Sequence, residues 1–136
     1  IRPVCLPFKF ENYDLGGATC TASGWGIVYD GGPQATKLRK INVQTLNSQS
    51  CQQVYGTKIK ITDKMICAGG GKQDTCQGDS GGSLDYWDVN SKRFYAFGVV
   101  SFGPSCGLEG SPGIYTDVTK FLSWIEQVTQ ANFCKM

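Results

Sequence analysis

Between Asp74 and Gly82 the chain reads Asp74-Thr75-Cys76-Gln77-Gly78-Asp79-Ser80-Gly81-Gly82, a serine set among glycines with an acid directly before it. Glycine adopts backbone conformations that other residues resist, so such a stretch can bend sharply and present an exposed hydroxyl beside unpaired N–H groups. That arrangement suits a nucleophile with an oxyanion hole. An isolated Gly-x-Ser-Gly is as readily a plain glycine-rich turn. Nine residues in this order are more specific than that.

A serine nucleophile needs a base, and the chain contains no histidine. This excludes an imidazole base, a His-containing zinc site and a histidine pH switch supplied by this chain itself. Seven cysteines, at positions 5, 20, 51, 67, 76, 106 and 134, cannot all pair within the chain. None forms a Cys-x-x-Cys, so thiolate zinc clusters and thioredoxin-type redox motifs lose their support, and no metal or cofactor is expected. Wide spacing suggests disulfides instead, and therefore a secreted, extracellular protein.

Thirteen basic against eleven acidic residues leave a net charge of +2. The basic groups, Lys37 with Arg39 and Lys40, and Lys92 with Arg93, are too small to read as a nucleic-acid surface. No run reaches the ~18 apolar residues of a membrane span, so neither nucleic acid nor membrane is an expected partner. No signal peptide opens the chain, and its start at Ile1-Arg2-Pro3 without Met suits a processed or excised piece. No Asn-x-Ser/Thr acceptor occurs, so N-glycosylation is not expected.

The elements that must hold the serine segment read as all-β. At 136 residues and 40% hydrophobic composition there is enough for one compact domain, and eighteen glycines punctuate short strand-like runs. Ala18 to Val28 is strand-like around Gly24-Trp25-Gly26. Lys40 to Leu46 alternates Ile41, Val43 and Thr45 with Lys40, Asn42 and Gln44, as a half-buried strand should. Phe94 to Phe102 and Gly113 to Val118 read likewise, and Leu84 to Phe94 predicts a hairpin turning near Asn90-Ser91. Phe121, Leu122, Trp124, Ile125 and Val128 recur at helical spacing after Thr119, predicting one C-terminal amphipathic helix with Thr119 as N-cap.

Taken together, Arg2-Pro3-Val4-Cys5-Leu6-Pro7, Ser23-Gly24-Trp25-Gly26, Met65-Ile66-Cys67-Ala68-Gly69, the serine segment, Val100-Ser101-Phe102-Gly103, Pro112-Gly113-Ile114-Tyr115-Thr116 and the Trp124-Ile125 helix stand in the order of one known family. The chain resembles the trypsin-like, chymotrypsin-fold serine proteases, and Gly98 to Gly107 looks like the arthropod clip-domain proteases of immune and developmental cascades. The resemblance implies that residues 1–136 form the second six-stranded antiparallel β-barrel of the double-barrel catalytic domain, with its C-terminal helix. The first barrel, which holds the family's His and Asp, is absent from this chain.

Carried over residue by residue, the resemblance makes Ser80 the acyl-forming nucleophile and the N–H groups of Gly78 and Ser80 the oxyanion hole. Asp79 becomes the carboxylate that pairs with the ammonium end created by zymogen cleavage. Ile1 is not that end, because the family's activated terminus reads Ile-Val-Gly-Gly and this one reads Ile1-Arg2-Pro3-Val4. Asp74 matches the base of the primary specificity pocket and Gly103 and Gly113 its walls, which implies preference for Arg or Lys before the scissile bond. Thr75 and Gln77 fall with the substrate-binding residues, and Ser101, Phe102 and Gly103 match the strand that pairs with substrate backbone.

The same resemblance pairs Cys51 with Cys67 and Cys76 with Cys106, each worth on the order of 3 to 4 kcal/mol by loop closure. It gives Cys5 an interchain partner in the pro-region. The usual mate of Cys20 is missing, since Ser83, Leu84, Asp85 and Tyr86 follow the serine segment. Cys20 and Cys134 could therefore bond each other, an absent segment, or nothing. The implied function is a secreted endopeptidase in a zymogen cascade, inactive as this chain alone, acting on protein substrates and met by a serpin-type inhibitor. The alternative is a non-catalytic homologue serving as a binding or cofactor module, against which the intact Ser80 argues.

Overall fold

The computed structural model describes residues 1–133 and 135. Six strands, β1 (Thr19–Gly24), β2 (Arg39–Leu46), β3 (Met65–Gly69), β4 (Ser83–Asp88), β5 (Arg93–Phe102) and β6 (Pro112–Asp117), are joined by two helices, α1 (Ser48–Tyr55) and α2 (Leu122–Thr129). They close into one antiparallel barrel in the order β1-β2-β3-β6-β5-β4, with β1 hydrogen-bonded to β4. Closure leaves no free sheet edge.

Alternation sets which side chains fill the barrel. Cys20 and Ala22 from β1, Val43 from β2, Ile66 and Ala68 from β3, Leu84, Val100 and Tyr115 form its buried centre. A second cluster lies outside, where Phe10 and Leu15 from the N-terminal segment pack on Tyr95 and Phe97 of β5. Phe10 meets Tyr95 edge-on with centroids 5.1 Å apart, a favoured aromatic geometry. That segment also bridges directly to β5, through a parallel pairing of Cys5 with Tyr95 and the Ala96 N–H donating to Cys5 O at 3.0 Å. Covered on both faces, β5 reads Tyr95-Ala96-Phe97-Gly98 with all four buried, unlike the half-buried alternation of β2.

The hairpin between β4 and β5 turns through residues 89–92, with Lys92 at φ 52°. Asp88 organises it, accepting from Ser91 N–H at 3.1 Å and from Ser91 Oγ at 2.7 Å while Lys9 Nζ donates to Oδ2 at 2.9 Å. Its carboxyl is consequently held down to about 2, by the Lys9 ammonium first and the Ser91 hydroxyl next.

One expectation about helices changes, and one helix had none. Chain 118–121 forms a 3-10 turn ahead of α2, so Thr119 lies inside it and the cap is Asp117, whose side chain accepts from Thr119 N–H at 2.9 Å. Helix α1 had no forecast; Asn47 caps it by accepting from Ser50 N–H at 2.8 Å. The helix is docked by the Cys51–Cys67 disulfide and by the Tyr55 hydroxyl donating to Pro112 O. Among the described residues no helix is long and apolar enough to cross a membrane.

Candidate active site

The loop between β3 and β4 carries the serine segment, and it is clamped from three sides. The Cys76–Cys106 disulfide ties it to the loop after β5. On one flank Ile27 N–H donates to Gln77 O at 2.8 Å. On the other, Gly81 N–H donates to Val100 O at 3.0 Å and Val100 N–H to Gly82 O at 2.8 Å. Ser80 sits exposed at the crest between these anchors.

Asp79 is the internal brace of the crest. Its Oδ1 accepts the Gly26 N–H at 2.8 Å and its Oδ2 the Cys76 N–H at 2.9 Å. The carboxylate fits only because residues 24 and 26 lack side chains: a Cβ at Gly24 would overlap Oδ1, and one at Gly26 would lie 2.5 Å from Cγ. The glycines around Trp25 thus belong to the serine loop as much as to β1, which stops at Gly24. The loop turns at Gly78, whose φ of 92° is a left-handed value that disfavours any side chain. The Asp79 N–H is taken by Cys76 O at 3.0 Å, whereas no protein acceptor among the described residues takes the Gly78 or Ser80 N–H.

A cleft of about 250 Å³ opens beside Ser80. Asp74, Thr75, Gln77, Ser101, Phe102, Gly103 and Gly113 all line it with Ser80, whereas Gly78 and Asp79 lie outside its lining. Asp74 is its charged wall. Oδ2 accepts the Gly107 N–H at 3.1 Å, and among the described residues nothing donates to the buried Oδ1. Burial pushes the Asp74 carboxyl up, with the Gly107 and Thr75 N–H groups opposing. A Cβ at Gly113 would come within 3.0 Å of Oδ1, so that glycine leaves room beside the carboxylate, while one at Gly103 would make an ordinary contact with Gly113 Cα at 3.7 Å. Behind Asp74, the Thr75 Oγ1 and Tyr115 hydroxyl lie 3.1 Å apart, and burial pushes the Tyr115 phenol up to about 12.

Cys5 and Cys20 lie away from the cleft. Cys20 is buried at 1% exposure and faces Tyr86 across the β1–β4 ladder, so a tyrosine stands at the cross-strand position of the absent mate. Burial, then the Asp85 carboxylate, pushes its thiol up to about 12. Cys5 and Cys20 carry no disulfide among the described residues. A Cys20–Cys134 bond cannot be placed, because Cys134 lies outside them.

Of the lining residues that the sequence did not forecast, Asp30 carries a charge. Asp30, at the tip of the chain's 27–34 turn, also borders the cleft and accepts from Ser105 Oγ at 2.6 Å. The only local sign of it is the turn chemistry of Asp30-Gly31-Gly32.

Comparison with known proteins gives the family. The family described as Trypsin matches residues 1–125. The chain is 43% identical over 131 residues to the proclotting enzyme of Tachypleus tridentatus, covering 93% of this chain and 34% of that protein. It is 41% identical to phenoloxidase-activating factor 1 of Holotrichia diomphalia, over 93% of the chain and 34% of the relative. With the CLIP domain-containing serine protease HP8 of Bombyx mori it shares 40% identity, over 92% and 35%. The chain thus spans about a third of the length of these curated relatives. A closed antiparallel barrel, a braced serine on a glycine loop and a match over residues 1–125 place the chain in the trypsin family of serine proteases.

Proposed function

We propose that this chain is the nucleophile-bearing half of a secreted trypsin-like endopeptidase that cleaves after Arg or Lys. Its general-base His and orienting Asp would come from another β-barrel of the same protein. The observation that carries the reading is the partnerless Oδ1 of Asp74, buried in the wall of the Ser80 cleft. A buried carboxylate oxygen without a donor is costly, and a guanidinium or ammonium entering between Gly103 and Gly113 supplies the missing hydrogen bond. A neutral side chain leaves it stranded, which is the basis of discrimination.

In this reading the substrate backbone lies along Ser101 to Gly103 by main-chain hydrogen bonds. Ser80 Oγ attacks the scissile carbonyl carbon while its proton passes to the imidazole. The oxyanion is received by the Gly78 and Ser80 N–H groups, which no protein acceptor among the described residues occupies. The intermediate collapses, expelling the amine with the transferred proton, and water hydrolyses the resulting ester. Asp79 would meet the ammonium end created by zymogen cleavage and hold the loop in its working shape. Support for a second half comes from α2, where Trp124 and Val128, one turn apart, are 60% and 61% exposed.

The names of the relatives, a proclotting enzyme and a phenoloxidase-activating factor, support a place in a proteolytic cascade. Protein substrates, a serpin-type inhibitor and a disulfide from Cys5 to another segment belong to the same reading. The test is hydrolysis of a peptidyl-Arg amide against its Gln counterpart by the full-length protein, with an organophosphonate to label Ser80. Turnover confined to Arg together with labelling is expected. Absence of both would make the protein a non-catalytic binding or cofactor module.

A further inference from the structure

We propose that Asp30 is a second specificity-determining carboxylate, selecting substrates that carry a further basic side chain within two residues of the cleaved Arg or Lys. This rests on the reading of Asp74 as the primary pocket's carboxylate and extends it to the rim of the same cleft.

Three observations carry it. First, Asp30 and Asp74 border one cleft of about 250 Å³, and no Lys or Arg lines it. A single substrate cation satisfies Asp74, which leaves the second negative charge at the cleft without a counter-charge.

Second, Asp30 is positioned by the fold. Its turn is closed by Gly32 N–H donating to Tyr29 O at 2.8 Å, with Gly31 at φ 71°. The Tyr29 ring covers Gly32 so closely that a Cβ there would lie 2.8 Å from it. The base is held by Val28 N–H to Pro33 O at 3.0 Å and by Ile27 N–H to Gln77 O, the latter reaching the serine loop itself.

Third, the tip is tethered to the opposite lip. Ser105 Oγ donates to Asp30 Oδ2 at 2.6 Å across 75 residues of sequence, and no other protein group among the described residues engages the carboxylate. Ser105 adjoins Cys106, whose disulfide holds the lip to the serine loop. A carboxylate carried on an anchored turn is placed to attract a cation on the bound peptide. An exposed charge acts at close range through solvent, so its effect is modest and weakened by salt.

The experiment uses the full-length protein and peptides cleaved at a single Arg, with Lys or Gln at each of the two positions on either side. Wild type should cleave the best Lys-flanked peptide roughly three- to tenfold faster in kcat/KM than its Gln partner, and the ratio should fall toward one at about 0.5 M salt. Asp30→Asn keeps an oxygen for Ser105 and removes only the charge; it should abolish the ratio while leaving Arg over Gln at the cleaved position unchanged. Asp30→Glu should retain the ratio. Ser105→Ala, which removes the tether and keeps the charge, should lower the ratio without abolishing it. Arg-directed cleavage with the same Lys-to-Gln ratio in wild type and Asp30→Asn overturns this inference alone. Failure of the wild type to prefer Arg at the cleaved position overturns the underlying reading, and this one with it.

Discussion

The Asp79 carboxylate lies against Gly26, fifty-three residues earlier in the chain, with its Oδ1 accepting the Gly26 N–H at 2.8 Å. The residue before Ser80 is therefore held by the turn that follows β1, and the serine loop has its shape only while that turn presents bare backbone.

Gly26→Ala follows directly. The added methyl would lie 2.5 Å from Asp79 Cγ, so the carboxylate must leave and the N–H groups of Gly26 and Cys76 lose their acceptor. The barrel centre is untouched, and the protein should fold. On the proposed reading the Gly78 and Ser80 N–H groups that receive the oxyanion lose their setting, and kcat/KM of the full-length protein on a peptidyl-Arg amide should fall at least about 100-fold, the effect of one lost oxyanion donor. Circular dichroism alongside the kinetics separates this from unfolding.

Asp74 should make cation binding depend on pH. Burial holds its carboxyl above the ordinary range, and a bound cation favours the charged form and draws it back down. Benzamidine should therefore bind with release of protons in the acidic window around that raised value, and more weakly as pH falls through it. Calorimetry in buffers of different ionisation enthalpy measures the release. Asp74→Asn should weaken binding at neutral pH by about 2 kcal/mol or more, roughly thirtyfold.

Cys20, with its thiol pushed up to about 12, should resist iodoacetamide in native protein at pH 8 and react once guanidinium unfolds the barrel. Tyr86→Cys tests the geometry from the other side. The two positions are direct cross-strand partners, and such pairs lie about 4.5–5.5 Å apart at Cα, within disulfide reach. The bridge should close on oxidation, detectable as a loss of two hydrogens by mass. It should raise stability little, since about 4 kcal/mol of loop closure is offset by the lost packing of Tyr86 on Phe10 and Phe97.

Asp88 supplies a test of stability against pH. Its folded value of about 2 lies below the ordinary 3.8, so the stabilisation from its ionised form is complete above the unfolded value and is lost as pH falls through the folded one. Asp88→Asn should lower the melting temperature at pH 7, and the gap to wild type should close as pH is taken from about 4 toward 2. A gap unchanged across that range would rule out the Lys9 and Ser91 contacts as its cause.

Much of this layout is legible in the linear sequence where physics is local. The alternation from Lys40 to Leu46 reports β2 within one residue of its observed start at Arg39, because one face of that strand meets the barrel centre and the other meets water. The serine segment is legible because glycines and acid are contiguous. Helix α1 is not, since its eight residues bury only Cys51 and Tyr55 and give no apolar stripe. The cap of the last helical segment moved from Thr119 to Asp117 because a 3-10 turn intervenes. Asp30 is invisible for a different reason: nothing local to a turn announces that its tip will rest on Ser105.

Strand β5 carries a mechanical consequence. Near one end Tyr95 and Ala96 grip the Cys5 segment; farther along, Val100 grips Gly81 and Gly82; at its close, Ser101 to Gly103 border the substrate cleft. Ala96 and Val100 are four residues apart on this strand, about 13 Å at ordinary strand spacing, with Phe97 and Gly98 buried between them. A displacement of the Cys5 segment would therefore be passed along β5 to the loop that carries Ser80, so the chain's first segment and its serine segment share one strand as their support.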